Sequence, residues 1–393
     1  MKIKLDQLGQ FYAAVNSEVD PGTFRVGIHL KEPVVPKVLQ EAVNELMKRL
    51  PHMNVRKYSG FLHYYNETLD KPLTIEKENA DTQPFRYFPK GSHLLRVLYG
   101  ERHVTLEVLH SVCDGRSLAM AASSLLIRYY ERMAVTVSKE GFIDCDDRPQ
   151  AEESIDAYAQ HADLRKSKSA KGEDVYIPKY QANDAKIITQ KMNLAVLKSK
   201  ANAHGVTISE YILTHIFSEF AKQREKEGVK KGITCSVPID CRSFFPSKSL
   251  RNFVSHKLVK MPESAGFAEV AQGIKKQFSD ISADYIQAKI SETERMVCFA
   301  RFVPLFIKKW LIRRVGSSIS AGRSTGFSNL GLIKLPQEIQ DKVDMYTFAI
   351  GAEPDIPYQF ACVAIGDALT LTTTTTAKDV EIIKRINEAL SAE

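Results

Sequence analysis

The chain has 393 residues, 44% of them hydrophobic and 26% charged, and a formal net charge of +7. That composition excludes a disordered or fibrous chain, and the length fits two domains of about 150–200 residues better than one. The mild positive balance suits an anionic small ligand but falls short of the dense basic stripe of a nucleic-acid binder, so no nucleic-acid partner is expected.

After an opening segment from Leu5 to Val15, Phe24 to Leu30 alternates apolar and polar residues and reads as a strand. Pro36 stands at a first helical position. Val38, Leu39, Ala42, Val43, Leu46, Met47 and Leu50 follow it at helical spacing, and Pro51 ends the run. Short strands are expected at about 62–66 and 93–99, and a third from His103 to His110 with Val104, Leu106, Val108 and His110 on one face. Arg116 to Met133 reads as a long helix with an apolar stripe through Leu118, Ala121, Leu125 and Tyr129. Residues 146–180 turn polar and charged and read as an inter-domain crossover. Beyond it a strand is expected near 185–192, then a short helix from Leu194 to Ala203. Thr207 and Glu210 form a capping-box pattern ahead of a helix running to Phe220. Further strands are expected at 232–239, 253–261, 345–351, 358–365 and 368–376.

Helices and strands are mixed rather than strictly alternating, which predicts an α+β fold of open α/β layers. The expected units are 1–145, the crossover 146–180, and 181–393. The six cysteines, Cys113, Cys145, Cys235, Cys241, Cys298 and Cys362, show neither C-x-x-C nor zinc spacing. They read as reduced thiols of a cytoplasmic protein without a metal site. Met1 to Asp6 carries no apolar leader, and no run of about 18 apolar residues predicts a transmembrane segment.

The stretch that carries chemistry is Leu109, His110, Ser111, Val112, Cys113, Asp114 and Gly115. It puts an imidazole where a strand ends and a tight turn begins. A neutral imidazole is the side chain suited to take a proton at neutral pH. Asp114 is expected to point away and anchor the turn on a cation, with Gly115 permitting the turn. The same pattern also fits a routine turn after a strand.

His110 to Gly115 resembles the active-site motif of the coenzyme A-dependent acyltransferases. These include chloramphenicol acetyltransferase, alcohol acetyltransferases, plant BAHD acyltransferases and the condensation domains of peptide synthetases. Pro238 to Phe253, with Asp240, Arg242 and Asn252, is similar to a second-domain segment of that superfamily. Ser328, Asn329, Leu330 and Gly331 are similar to its Ser-Asn-x-Gly segment. Leu109 stands where condensation domains carry a first histidine, and the plant Asp-Phe-Gly-Trp-Gly motif is missing.

The resemblance implies two chloramphenicol-acetyltransferase-like domains with a tunnel at their interface, where His110 meets acyl-CoA and a small-molecule alcohol or amine. Arg242 would pair with Asp114, and Ser328, Asn329 and Asn252 would be oxyanion or substrate contacts. Coenzyme A thioester is then a co-substrate, with no bound cofactor. The alternatives are a free-standing condensation domain using a carrier-protein-bound donor, and a non-catalytic binding protein of the same fold.

Four further features have simpler readings. Cys113 is expected to be no nucleophile. The threonines at 370 and 372–376 read as a strand. Phe299 to Val315, with Lys308, Lys309, Arg313 and Arg314, reads as a core-packed helix with a solvated basic edge, with a membrane surface as the other reading. His215 and His256 read as structural histidines.

Overall fold

The computed structural model describes residues 1–79, 82–164, 174–263, 266–310, 322–351, 353 and 355–391. The N-terminal half runs β1 (Lys2–Lys4), α1 (Gln7–Val15), β2 (Thr23–Leu30), α2 (Pro36–Arg49), β3 (Val55–Ser59), β4 (Tyr64–Thr68), β5 (Glu76–Lys77), β6 (Leu95–Tyr99), β7 (His103–Leu109) and α3 (Gly115–Arg132). A one-turn segment (Ala151–Ser154) and α4 (Ala157–His161) lie in the crossover. The rest runs β8 (Ala182–Asn193), α5 (Leu194–Ala203), α6 (Ile208–Lys226), β9 (Thr234–Asp240), β10 (Val254–Lys260), α7 (Phe267–Ser279), α8 (Ala283–Ala300), β11 (Thr325–Ile333), β12 (Val343–Ile350), β13 (Tyr358–Ile365) and β14 (Ala368–Ala377). A final helix spans Glu381–Ser391.

Local chemistry sets the element ends. Asp114 caps α3 by accepting from the Ser117 amide at 3.0 Å, and Thr207 and Glu210 form the expected capping box on α6. Pro36 opens α2, whose apolar stripe is buried from Leu39 to Met47. Each such fully buried leucine or valine stabilises the fold by about 1.5–3 kcal/mol.

The strands form an α+β arrangement of three sheets, in the orders β1-β4-β3, β12-β2-β7-β6-β5 and β10-β9-β11-β13-β14-β8. The expected strands are present, with β1, β3, the short β5 and β11 in addition. Helices α7 and α8 were not anticipated. β12, from the second half, pairs antiparallel with β2 of the first, Phe348 opposite Val26. A β-strand pattern specifies period, not neighbour, so this exchange could not be read from the chain. Tyr346, Phe348, Ala361, Val363 and Ile365 accordingly join the core under the first sheet, and a second core lies under α6 and α7.

The crossover is packed rather than loose. Glu153 forms a two-pronged ion pair with Arg49 at 2.6 Å on each arm, and Tyr158 is 1% exposed. Among the described residues no helix is long and apolar enough to cross a membrane, and no group of three or more His, Cys, Asp or Glu side chains could hold a metal ion.

Candidate functional site

β7 ends at Leu109, and the His110 amide donates to the Gly22 carbonyl at 3.0 Å. This holds the start of the motif against the neighbouring strand β2. The His110 ring stacks on Tyr12 with centroids 4.3 Å apart and an interplanar angle of 5°, and meets the edge of Phe24 at 4.7 Å. Two aromatic side chains therefore leave the imidazole little freedom to swing.

The loop joining β9 to β10 brings a second set of groups to the motif. Asn252, fully buried, donates its amide N–H to the His110 carbonyl at 2.9 Å and to Asp6 at 3.3 Å. Its carbonyl oxygen then faces His110 Nδ1 at 3.0 Å. An amide oxygen only accepts, so Nδ1 carries the proton and Nε2 keeps its lone pair. Nε2 has no hydrogen bond among the described residues, and His110 lines the main cavity. Burial pushes the imidazole below its ordinary range, partly offset by the Asp114 carboxylate and the Asn252 hydrogen bond. The ring is thus held neutral, with an open base on one nitrogen.

Asp114 makes no hydrogen bond to the imidazole among the described residues. One oxygen caps α3; the other accepts from Arg242 at 2.7 Å and from the Phe253 amide at 2.9 Å. Arg242 is saturated: it also reaches Asp240, Ser117 and the carbonyls of Ser249 and Arg251. Side-chain exposure of this pair is 6% and 0%. A buried pair with every donor and acceptor satisfied is an orienting device rather than a large source of net stability.

Gly115 differs from expectation. Its φ is not in the left-handed region, so the turn does not require glycine. The fit is close, however: a Cβ there would stand 3.0 Å from Leu330 Cδ2 and 3.2 Å from Phe348 Cζ, so these side chains would have to shift. Ser328 to Gly331 lies inside β11. A bulge follows Asn329, and Gly331 adopts φ 77°. Ser328 is nearly buried, lines the cavity, and its hydroxyl has no hydrogen bond among the described residues. Asn329 is exposed, with its amide taken by Ser209 at 2.8 Å and by the Gly331 amide at 2.7 Å. Cys113 is fully buried and its thiol is pushed well up by burial, which removes thiolate character at neutral pH.

The cavity has a volume of about 1370 Å³. A single small-molecule site occupies about 300–1,000 Å³, so this one has room for two substrates. Elements of both halves line it, among them α1, α3, α8, β10, β11 and β12.

Sequence reasoning missed several groups. Asp6 caps α1 and supports Asn252, and burial raises its pKa to about 6 against the pull of Arg251. Asp followed by an apolar helix is the signal that was available there. Tyr12, Asp20, Arg323, Glu353 and His256 share the cavity with His110. Burial, then Glu353, raises Asp20 to about 7. Glu353 is ion-paired with Arg323. His256 was expected to be structural; it lines the cavity, and desolvation there, then Arg323 and His110, lowers it to about 4.

No family model matches the chain, and no curated protein matches it. Solved structures do. The chain is similar to polyketide synthase associated protein 5 from Mycobacterium tuberculosis (TM-score 0.62, 13% identity, 99% of this chain and 96% of that one). It is similar to the epimerization domain from the third module of tyrocidine synthetase B (TM-score 0.64, 11% identity, 99% and 94%). It is also similar to the first condensation domain of the CDA synthetase (TM-score 0.64, 12% identity, 100% and 97%). At these identities the likeness establishes the fold: two lobes of the chloramphenicol-acetyltransferase type, in the form seen in condensation domains.

Proposed function

We propose that the protein transfers an acyl group from a pantetheine thioester to a hydroxyl or amine, with His110 as general base. The observation that carries this reading is the imidazole fixed as the Nδ1–H tautomer by Asn252, its Nε2 left with a lone pair in a cavity sized for two ligands. Nε2 takes the acceptor's proton as its oxygen or nitrogen attacks the thioester carbonyl. The tetrahedral oxyanion accepts a hydrogen bond from Ser328. The C–S bond then breaks, and the imidazolium returns the proton to the departing thiolate. A positioned base of this kind contributes about 10²–10⁴-fold.

The donor we favour is a thioester on a carrier protein. The similar solved structures include an epimerization domain and a condensation domain of multi-module synthetases and a polyketide synthase associated protein, and that setting supports a protein-bound donor. Free acyl-CoA is the second reading, favoured by Lys289, Lys308 and Lys334, cations at the cavity wall that suit its phosphates. Thiol release with matched acyl-CoA and acyl-carrier-protein donors, against alcohol and amine acceptors, separates the two. Turnover with the carrier donor alone supports the first. Turnover with acyl-CoA at equal concentration supports the second. Binding of either donor without acceptor-dependent thiol release contradicts the enzymatic reading.

A further inference from the structure

The phenylalanines that are exposed among the described residues gather in one place. Phe299, Phe302 and Phe306 are 71–75% exposed, and Phe61 is 76% exposed. Phe61 lies on the hairpin between β3 and β4, and its carbonyl accepts from the Leu305 amide at 2.9 Å; Lys308 donates to the Leu62 carbonyl at 2.7 Å. Met296 and Trp310 add exposures of 60% and 56%. Singly exposed apolar residues are ordinary, but four exposed phenylalanines on two hydrogen-bonded segments mark a surface that something covers. The core-packed helix expected over Phe299 to Val315 is therefore not what residues 299–310 form; 311–315 lie outside the described residues.

Charge indicates what covers it. From residue 295 to 310 the chain has four cations, Arg295, Arg301, Lys308 and Lys309, and no carboxylate. Arg295 lies 5.8 Å from the Phe299 ring centroid and Arg301 4.5 Å from that of Phe302, so apolar ring and cationic head share each contact. The core of a protein–protein interface is depleted in lysine and carboxylates, whereas Lys308 and Lys309 stand just beyond Phe306 here. Aromatic rings interleaved with cations, without a carboxylate between them, is instead the composition of a segment lying at the headgroup level of an anionic bilayer. The patch also borders the site: Met296, Leu305 and Lys308 line the cavity that holds His110.

We infer that the Phe61–Phe299–Phe302–Phe306 surface seats the protein on an anionic lipid membrane, turning the cavity mouth toward the bilayer so that a long-chain substrate can enter from it. The docking itself goes beyond acyl transfer and does not depend on it.

Vesicle co-sedimentation tests it. The protein is expected to bind phosphatidylcholine vesicles doped with phosphatidylglycerol, to bind pure phosphatidylcholine less, and to release as salt rises. The triple variant Phe299→Ser, Phe302→Ser, Phe306→Ser is expected to lose about tenfold or more in vesicle affinity. These exposed side chains do not line the cavity, so thiol release with a short soluble thioester is expected to stay as in the parent, which separates failure of docking from failure of the catalytic reading. Parent protein that ignores phosphatidylglycerol vesicles, or a triple variant that binds them equally well, overturns the inference. So does a parent that sediments as a dimer without binding vesicles while the triple variant is monomeric, because the patch is then an interface between copies.

Discussion

Asn252 and His110 are joined twice: the amide oxygen of Asn252 accepts from Nδ1 at 3.0 Å, and its N–H donates to the His110 backbone carbonyl at 2.9 Å. One side chain thereby sets the tautomer of the base and ties down the residue that carries it. Asn252→Ala removes both bonds and leaves the ring held only by Tyr12 and Phe24. In steady-state kinetics kcat is expected to fall about 10–100-fold with little change in KM. A rise in KM alone would make Asn252 a substrate contact instead.

Burial lowers the His110 pKa, so the base stays neutral to more acidic pH than an ordinary imidazole of pKa about 6.5. The acid limb of kcat/KM is therefore expected below pH about 6.5, with activity lost as pH falls through it. A limb above that value would mean that the neighbouring carboxylate outweighs burial.

The Asp114–Arg242 pair predicts coupling. Removing either partner strands a buried charge, at a cost of about 3–5 kcal/mol in denaturant unfolding. Arg242→Ala is expected to cost more than Asp114→Asn, because it also abandons the carbonyls of Ser249 and Arg251. In the double variant the losses fall short of additive by about 1–3 kcal/mol. Simple additivity would contradict the pairing.

Gly115→Ala tests the close approach. The added methyl meets Leu330 and Phe348, both at the cavity wall, and overpacking of this kind costs about 1–3 kcal/mol. Thermal unfolding is expected to show that loss; unchanged stability would mean those side chains yield freely.

Stability is expected to fall as the solution is acidified. His29, His52, His215 and His256 are all lowered to about 4, chiefly by burial. Between pH about 6.5 and 4 the unfolded chain protonates these imidazoles and the folded chain does not. Asp6 and Asp20, raised to about 6 and about 7, act oppositely, because the folded chain takes those protons first. His63, His93 and His110 are lowered as well and only Glu294 joins the opposing carboxylates, which leaves the unfolded state binding more protons. The melting temperature is therefore expected to drop across that window, and a rise would contradict this balance.

The elements nearest the motif were legible because their signals are local. An alternating run into His110, a helix behind Asp114 and Gly115, and the Thr207–Glu210 cap each depend on residues within a few positions of one another. The motif's partners were harder. Asn252 stands 142 positions from His110, and only the resemblance to acyltransferases pointed to Arg242. Nothing local in Tyr12 or His256 indicates the cavity they face. The aromatic run from Phe299 reads as core by composition, since hydrophobicity alone does not say which face is covered.

The direct test of the central claim is the rate of thiol release from an acyl pantetheine thioester, with an acceptor that the parent protein uses, for His110→Ala beside the parent. A loss of about 100-fold or more in kcat is expected, with donor binding by calorimetry essentially unchanged. A folded His110→Ala protein that turns over at near the parent rate would contradict it.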